Sequence, residues 1–302
     1  MSSNYTVIQG MRINRPTHIK ASIDDRARGE RIFRGEVIVQ GGIGALDELI
    51  AHADTMIRAA FAPHDPLRAH EAIEPAVYAQ IAEALIIAFQ RNDDARALFR
   101  SMLKAAGVDT ARVYWDKLRL RIQPPGKRHQ SRHVLNLPPH RDTWGSNLLC
   151  QINWWAPLYP LTAMRTMVLY PAHWQTPIAN TSAAWDYDEM RRALRRGDDY
   201  PLLPVASGEV DDSGAWPALI DPGELLCFSG AHLHASVANG TDVARFNIET
   251  RTVALDDLAE ARQAPDKDHA APRRALEWFV RIDDGAPLPG ARQANVRPEN
   301  DS

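Results

Sequence analysis

Residues 113–122 read Val-Tyr-Trp-Asp-Lys-Leu-Arg-Leu-Arg-Ile, and within them the apolar period of the chain becomes two. Leu118, Leu120 and Ile122 alternate with Lys117, Arg119 and Arg121, the pattern of a strand with one buried face. Further strand-like runs follow at 148–155, 166–170, 224–229, 232–237 and 245–253. Turn signals separate them at Pro124-Pro125-Gly126, Asp221-Pro222-Gly223 and Asn239-Gly240. Upstream the spacing is helical instead. Over 44–61, Leu46, Leu49, Ile50, Ala53, Met56, Ala60 and Phe61 recur at helical intervals until Pro63 stops them. A second helix is expected to start at Pro75 and bury Val77, Ile81, Leu85, Ala88 and Phe89. A third is expected from Asp93, as its cap, to Gly107, as its stop.

Short strands after a helical preface predict a mainly β fold with flanking helices (α+β): a β-sandwich or a jelly-roll barrel braced by N-terminal helices. The expected layout is a single domain over 1–285, with helical support at 40–110 and the jelly-roll core at 113–255. The long polar stretch 173–217 reads as a lid, 256–285 as a helical segment and 286–302 as a loose tail.

With 302 residues and a formal charge of -3, the chain has no general pull towards nucleic acid or an anionic membrane. Cys150 and Cys227 each lie in an apolar run, which predicts buried thiols and a reducing, cytoplasmic setting. The N-terminus carries no signal-peptide core, and no run approaches the roughly 18 apolar residues of a membrane span.

Chemistry concentrates in Pro139-His140-Arg141-Asp142, in His232-Leu233-His234 far downstream, and in Arg245. In His-x-Asp the two ligand-type residues share a face if they lie on a strand. A third ligand from a distant strand completes two imidazoles and a carboxylate, leaving open positions on Fe(II). His140-Arg141-Asp142 with Asn147 also fits a protein-kinase catalytic loop, but the glycine-rich loop, the strand lysine and Asp-Phe-Gly are missing. Phosphate-binding glycine motifs and G-x-S-x-G are absent as well.

The segment 113–253 resembles the phytanoyl-CoA hydroxylase-like group of Fe(II)/2-oxoglutarate dioxygenases. The match rests on His140-x-Asp142, the following Gln151-Ile152-Asn153-Trp154-Trp155, then His234-x-Ser236-x-x-Asn239, with Arg245 eleven residues past the histidine. The resemblance implies a double-stranded β-helix fold and His140, Asp142 and His234 as metal ligands and catalytic centre. It implies Fe(II), 2-oxoglutarate and O2 as cofactor and cosubstrates, Arg245 and Ser236 on the distal carboxylate of 2-oxoglutarate, and Trp155 in the same pocket. It also implies a basic or polar residue from an earlier strand, for which Lys117, Arg119 and Arg121 all stand open. The implied reaction hydroxylates, desaturates or cyclises at a C–H bond of a small molecule while 2-oxoglutarate becomes succinate and CO2. The expected partner is that small molecule, without nucleic acid or membrane, and a homodimer is compatible with it.

Alternation does not separate His232 from His234; the resemblance pattern favours His234 and leaves His232 a supporting role. Arg251, six residues past Arg245 and about 20 Å away along an extended strand, is expected as an ion-pair residue near the barrel rim. Glu249 has two readings, a salt bridge to a strand arginine or a receiver for a substrate ammonium. Lys127-Arg128-His129 with Arg132 and His133 read as a solvated loop. The arginines at 191, 192, 195 and 196 read as a solvated helix face or as part of a cover over the site. Two other functions compete: a jelly-roll metal enzyme without 2-oxoglutarate, and a non-catalytic binding module.

Overall fold

The computed structural model describes residues 16–129, 131, 134 and 136–291. In chain order the described elements begin with β1 (Thr17–Ile19), α1 (Asp25–Ile32), β2 (Ile38–Gln40), α2 (Gly44–Phe61), α3 (Ala69–Ala72), α4 (Pro75–Arg91) and α5 (Asp93–Ala105). Then come β3 (Val113–Trp115), β4 (Arg119–Gln123), α6 (Thr143–Ser146), β5 (Gln151–Pro157), β6 (Met167–Leu169) and α7 (Tyr187–Arg196). The chain closes with β7 (Trp216–Pro217), β8 (Leu225–Ser229), β9 (His234–Ser236), β10 (Arg245–Ala254), α8 (Leu255–Ala259) and β11 (Val280–Arg281).

The strands form an eight-stranded sheet in the order β1-β2-β8-β5-β10-β3-β11, with β4 also paired to β10, and a three-stranded sheet β7-β6-β9. The large sheet has two unlike faces because its strands alternate. On β10 the apolar Phe246 and Ile248 join the core that contains Phe61, Leu85 and Phe89 of α2 and α4. Phe246 meets Phe61 edge-on at 6.2 Å, and Phe61 meets Tyr78 at 5.1 Å. Each such ring contributes about 1.5–3 kcal/mol by leaving water. A second core holds Trp155, Leu226 and Phe228 of the large sheet against Met167 and Leu169 of the small one. The architecture is therefore mixed α+β, with helices on one side of the large sheet and a second sheet on the other.

Several expectations shift in detail. On α4, Leu85 and Phe89 are buried as expected, but Tyr78 and Ala82 complete the stripe and rotate it so that Ile81 is half-buried and Val77 and Ala88 are exposed. The largest side chain, Tyr78, sets that rotation by packing on Phe61. The cap of α5 is Asn92 rather than Asp93: its Oδ1 accepts from the Ala95 N–H at 2.7 Å and contacts His52 at 2.9 Å. Gly107 does terminate α5 at φ 94°, and a Cβ there would strike the Ile23 carbonyl. The stretch 256–285 is helical only in α8 and one turn at Leu276–Trp278. His129 is buried against Tyr78, not solvated, while Arg132 and His133 lie outside the described residues. Of the tail, Leu288 is buried and Pro287 bridges Val280, and residues beyond 291 lie outside the description. Among the described residues no helix is long and apolar enough to cross a membrane.

Candidate metal centre and its pocket

The other face of the large sheet is polar, and register explains why. Glu249 pairs with both Trp155 and Arg119, Arg251 with Asn153, and Arg245 with Gln123, so these side chains share one face. They line a cavity of about 570 Å³, within the usual range of roughly 300–1,000 Å³ for small-molecule sites.

At one end stand His140, Asp142 and His234, whose ligand atoms all lie within 4.8 Å of one another; no other such group occurs among the described residues. The His140 and His234 backbones exchange hydrogen bonds of 2.9 and 3.0 Å across an isolated bridge, bringing segments 94 residues apart side by side. The expected strand placement of His-x-Asp is not what aligns the pair. Asp142 has helical backbone angles at the head of α6, so the turn rather than strand alternation brings its carboxylate to the rings. Each carboxylate oxygen faces one ring: Asp142 Oδ1 is 3.9 Å from His140 Nε2, and Oδ2 is 3.9 Å from His234 Nε2.

The ring tautomers suit a metal. His140 Nδ1 contacts the Pro138 carbonyl at 2.8 Å and His234 Nδ1 the His232 carbonyl at 3.0 Å. An Nδ1–H donating to each carbonyl leaves both Nε2 lone pairs facing Asp142. Burial, with the nearby His234 charge, lowers His140 to about 3. For Asp142, burial alone acts upward, but Arg251 and the two histidines outweigh it and hold the carboxyl well below its ordinary range. A neutral His140 beside an ionised Asp142 is the pairing of protonation states a divalent metal binds. Two further contacts steady Asp142: Asn153 Nδ2 donates to Oδ2 at 2.6 Å, and Arg251 Nη1 lies 3.5 Å from Oδ1.

Arg251 also binds Asp116 at 3.2 Å, so the expected ion pairs exist, but the rim placement is wrong. The strand runs along the cavity, and Arg251 falls at the metal end of it. Arg245 lies in the same cavity, is 6% exposed, and carries no hydrogen-bond partner on Nε or Nη1 among the described residues. Burial brings it down to about 10. A buried guanidinium with idle donors fits an anion that the protein itself does not supply. Ser236 and Trp155 line the cavity with it, as do Lys117, Arg119 and Arg121 together. Arg121 is held by Glu249 at 2.7 Å, the ion-pair alternative for that acid. His232 stays out of the cavity lining; its ring lies 4.3 Å from Trp174 and its nitrogens meet the Gly35 and Ser229 carbonyls.

From the stretch 173–217, Trp185, Tyr187, Met190, Arg191, Leu202 and Leu203 line the cavity. Its arginines divide. Arg192 and Arg196 are exposed and paired with Glu189, whereas Arg191 lines the cavity. Sequence reading did not assign a role to Asn153, Asp116 or Trp278. Alternation two residues before Trp155 carried a signal for Asn153; nothing in the sequence pointed to Trp278, which arrives from the irregular C-terminal segment.

No family model matches the chain, and no curated protein matches it. Solved structures do. EvdO2 from Micromonospora carbonacea var. aurantiaca is 16% identical, covering 79% of this chain and 94% of that one, at a TM-score of 0.45. EctD from S. alaskensis with bound Fe is 15% identical, covering 89% and 87%, at 0.42. The epimerase SnoN in complex with Fe3+, alpha ketoglutarate and nogalamycin RO is 14% identical, covering 88% and 96%, at 0.42.

Proposed function

We propose that the chain is an Fe(II)/2-oxoglutarate-dependent oxygenase acting on a small molecule, built as one domain on a double-stranded β-helix. The observation that carries this is the pairing of a two-histidine, one-carboxylate set with a buried arginine whose Nε and Nη1 have no partner among the described residues, in one cavity. His140, Asp142 and His234 would hold the iron, and the donor set leaves positions for a bidentate cosubstrate and O2. Arg245 would take the distal carboxylate of 2-oxoglutarate, with Ser236 and Trp155 beside it. Bound iron and cosubstrate would supply the oxidising power, with 2-oxoglutarate and O2 yielding succinate and CO2 as one C–H bond of the substrate is oxidised.

The protein's own contribution is placement. Backbone carbonyls fix both ring tautomers, Asn153 and Arg251 aim the carboxylate, and the lid stretch keeps water from the reacting end. A metal enzyme without 2-oxoglutarate has no use for the idle donors of Arg245. The test is succinate formation from 2-oxoglutarate with Fe(II) and O2, first without substrate and then with candidate acids. Slow formation that disappears in Asp142→Ala and accelerates with a true substrate is expected. No succinate above the Asp142→Ala background under any condition would refute the proposal.

A further inference from the structure

The charges of the cavity do not balance, and the remainder identifies a substrate class. Every carboxylate lining it is already engaged. Asp116 holds Arg119 and Arg251, Glu249 holds Arg121, Glu277 holds Arg273 at 2.6 Å, and Asp142 belongs to the metal set. Arg141 is tied to Asp268 at 3.0 Å. Of the remaining cations, Arg245 is assigned to the cosubstrate. That leaves Lys117 and Arg191, and neither forms an ion pair among the described residues although both line the cavity. No acid waits for a substrate cation, while two cations wait for an anion.

Their positions are also ordered along the cavity. The Arg191 guanidinium lies 5.8 Å from the Tyr187 ring, which lies 4.7 Å from Trp278, which lies 5.8 Å from the Arg251 guanidinium beside Asp142. An aromatic surface therefore separates Arg191 from the metal end. Trp185, Met190 and Leu203 extend that apolar wall. Lys117 stands among Arg119, Arg121 and Arg251, and Asp116, the acid nearest in charge, is already shared by two arginines.

We infer that the substrate is an organic anion. Its apolar or aromatic body lies along Tyr187 and Trp278, its carboxylate, phosphate or sulfate is held by Arg191 beyond them, and its reacting carbon points to the His140, Asp142 and His234 end. The orientation rests on the function proposed above; the anion grip does not. Charge-assisted contacts of this kind strengthen binding by roughly tenfold each and weaken as salt screens them.

The probes are 3-phenylpropanoate, phenethyl phosphate, the neutral 3-phenylpropanamide and the cation 3-phenylpropylamine, titrated calorimetrically into Zn(II)-loaded protein saturated with 2-oxoglutarate. At least one anion should bind about tenfold or more tighter than the amide, and the amine weakest. The tighter of the two anions names the anionic group. Arg191→Gln, at an exposed position, should remove most of that preference while leaving 2-oxoglutarate affinity unchanged. Equal binding of amide and anions, preference for the amine, no binding by any probe, or a preference intact in Arg191→Gln would overturn the inference. Titrating 2-oxoglutarate alone tests the function separately. If it fails to bind while the anion preference persists in metal-free protein, the function falls and the anion site stands.

Discussion

Nδ1 of His140 and Nδ1 of His234 each meet a backbone carbonyl, so neither ring can rotate without breaking a buried hydrogen bond. Replacing His140, Asp142 or His234 by Ala should therefore weaken Fe(II) binding by more than about 100-fold, beyond the 10- to 100-fold typical of outer residues. His232→Ala should leave metal affinity close to the parent while lowering stability through its lost contacts with Trp174, Gly35 and Ser229. Calorimetric titration of the four variants checks both; a dead His232→Ala beside a metal-binding His234→Ala would reverse the assignment. Arg245 leads to a second expectation. Its fork of donors suits a carboxylate in a way the lysine ammonium does not. Arg245→Lys should raise the 2-oxoglutarate dissociation constant about tenfold to a hundredfold, and Arg251→Lys should raise it far less. At this scale the sequence was informative because ligand residue types and their spacing are written directly in it. The Asp142 geometry was less so, since residue types and spacing do not show that the chain turns into α6 at Asp142 instead of continuing as a strand. The position of Arg251 was misread for a related reason: alternation tells the face of a strand but not which end of it meets the site.

Between residue and fold, β10 and the segment before α6 do most of the positioning. β10 contributes Arg245, Glu249 and Arg251 on one face and Phe246 and Ile248 on the other, so helix packing on the apolar side holds the polar side in register. Arg141 ties the metal segment down. It reaches Asp268, the Ala231 carbonyl, and the His173 and Thr176 carbonyls at 2.7 and 3.0 Å, joining four separate segments at one buried guanidinium. Asn153 on β5 and Arg251 on β10 then aim Asp142 from the sheet. Asn153→Ala should weaken Fe(II) binding about 10- to 100-fold without changing the fold, and Arg251→Lys should do likewise because a single ammonium cannot reach Asp116 and Asp142 with separate nitrogens as the guanidinium does. Metal titration beside a far-ultraviolet spectrum reads this; unchanged affinity in Asn153→Ala would show that Asp142 is aimed by α6 alone. The major strands and the three long helices were legible because their periods are strong. The strands β1, β2 and β11 were not, since three or two residues carry no period, and their pairing is decided by partners far away in the chain.

Over the whole molecule, the proposed metal centre is a junction rather than an attachment. His234 comes from the small sheet, Asp142 from the head of α6, and the residues that aim Asp142 from the large sheet. The β1-β2 pair closes one edge of the large sheet by joining β8, and the core between the sheets includes Val37 and Val39 beside β2 and within it. An ion bound by His234 of the small sheet and by His140 and Asp142 before α6, with the large sheet aiming Asp142, favours the folded chain alone, because the unfolded chain cannot present the three donors together. Binding linkage then sets the size of the effect: metal at about 100 times its dissociation constant adds about 2.7 kcal/mol. For a domain above 150 residues, each kcal/mol moves the midpoint by roughly 2–4 °C or less. Thermal unfolding of metal-free protein should thus be a single transition that rises by several degrees with saturating Zn(II), taken as a redox-inert stand-in for Fe(II). In Asp142→Ala the same addition should leave the midpoint where it was. Two separated transitions, only one of them responsive to metal, would instead mean that the sheets unfold independently and that the site does not bind them into one unit.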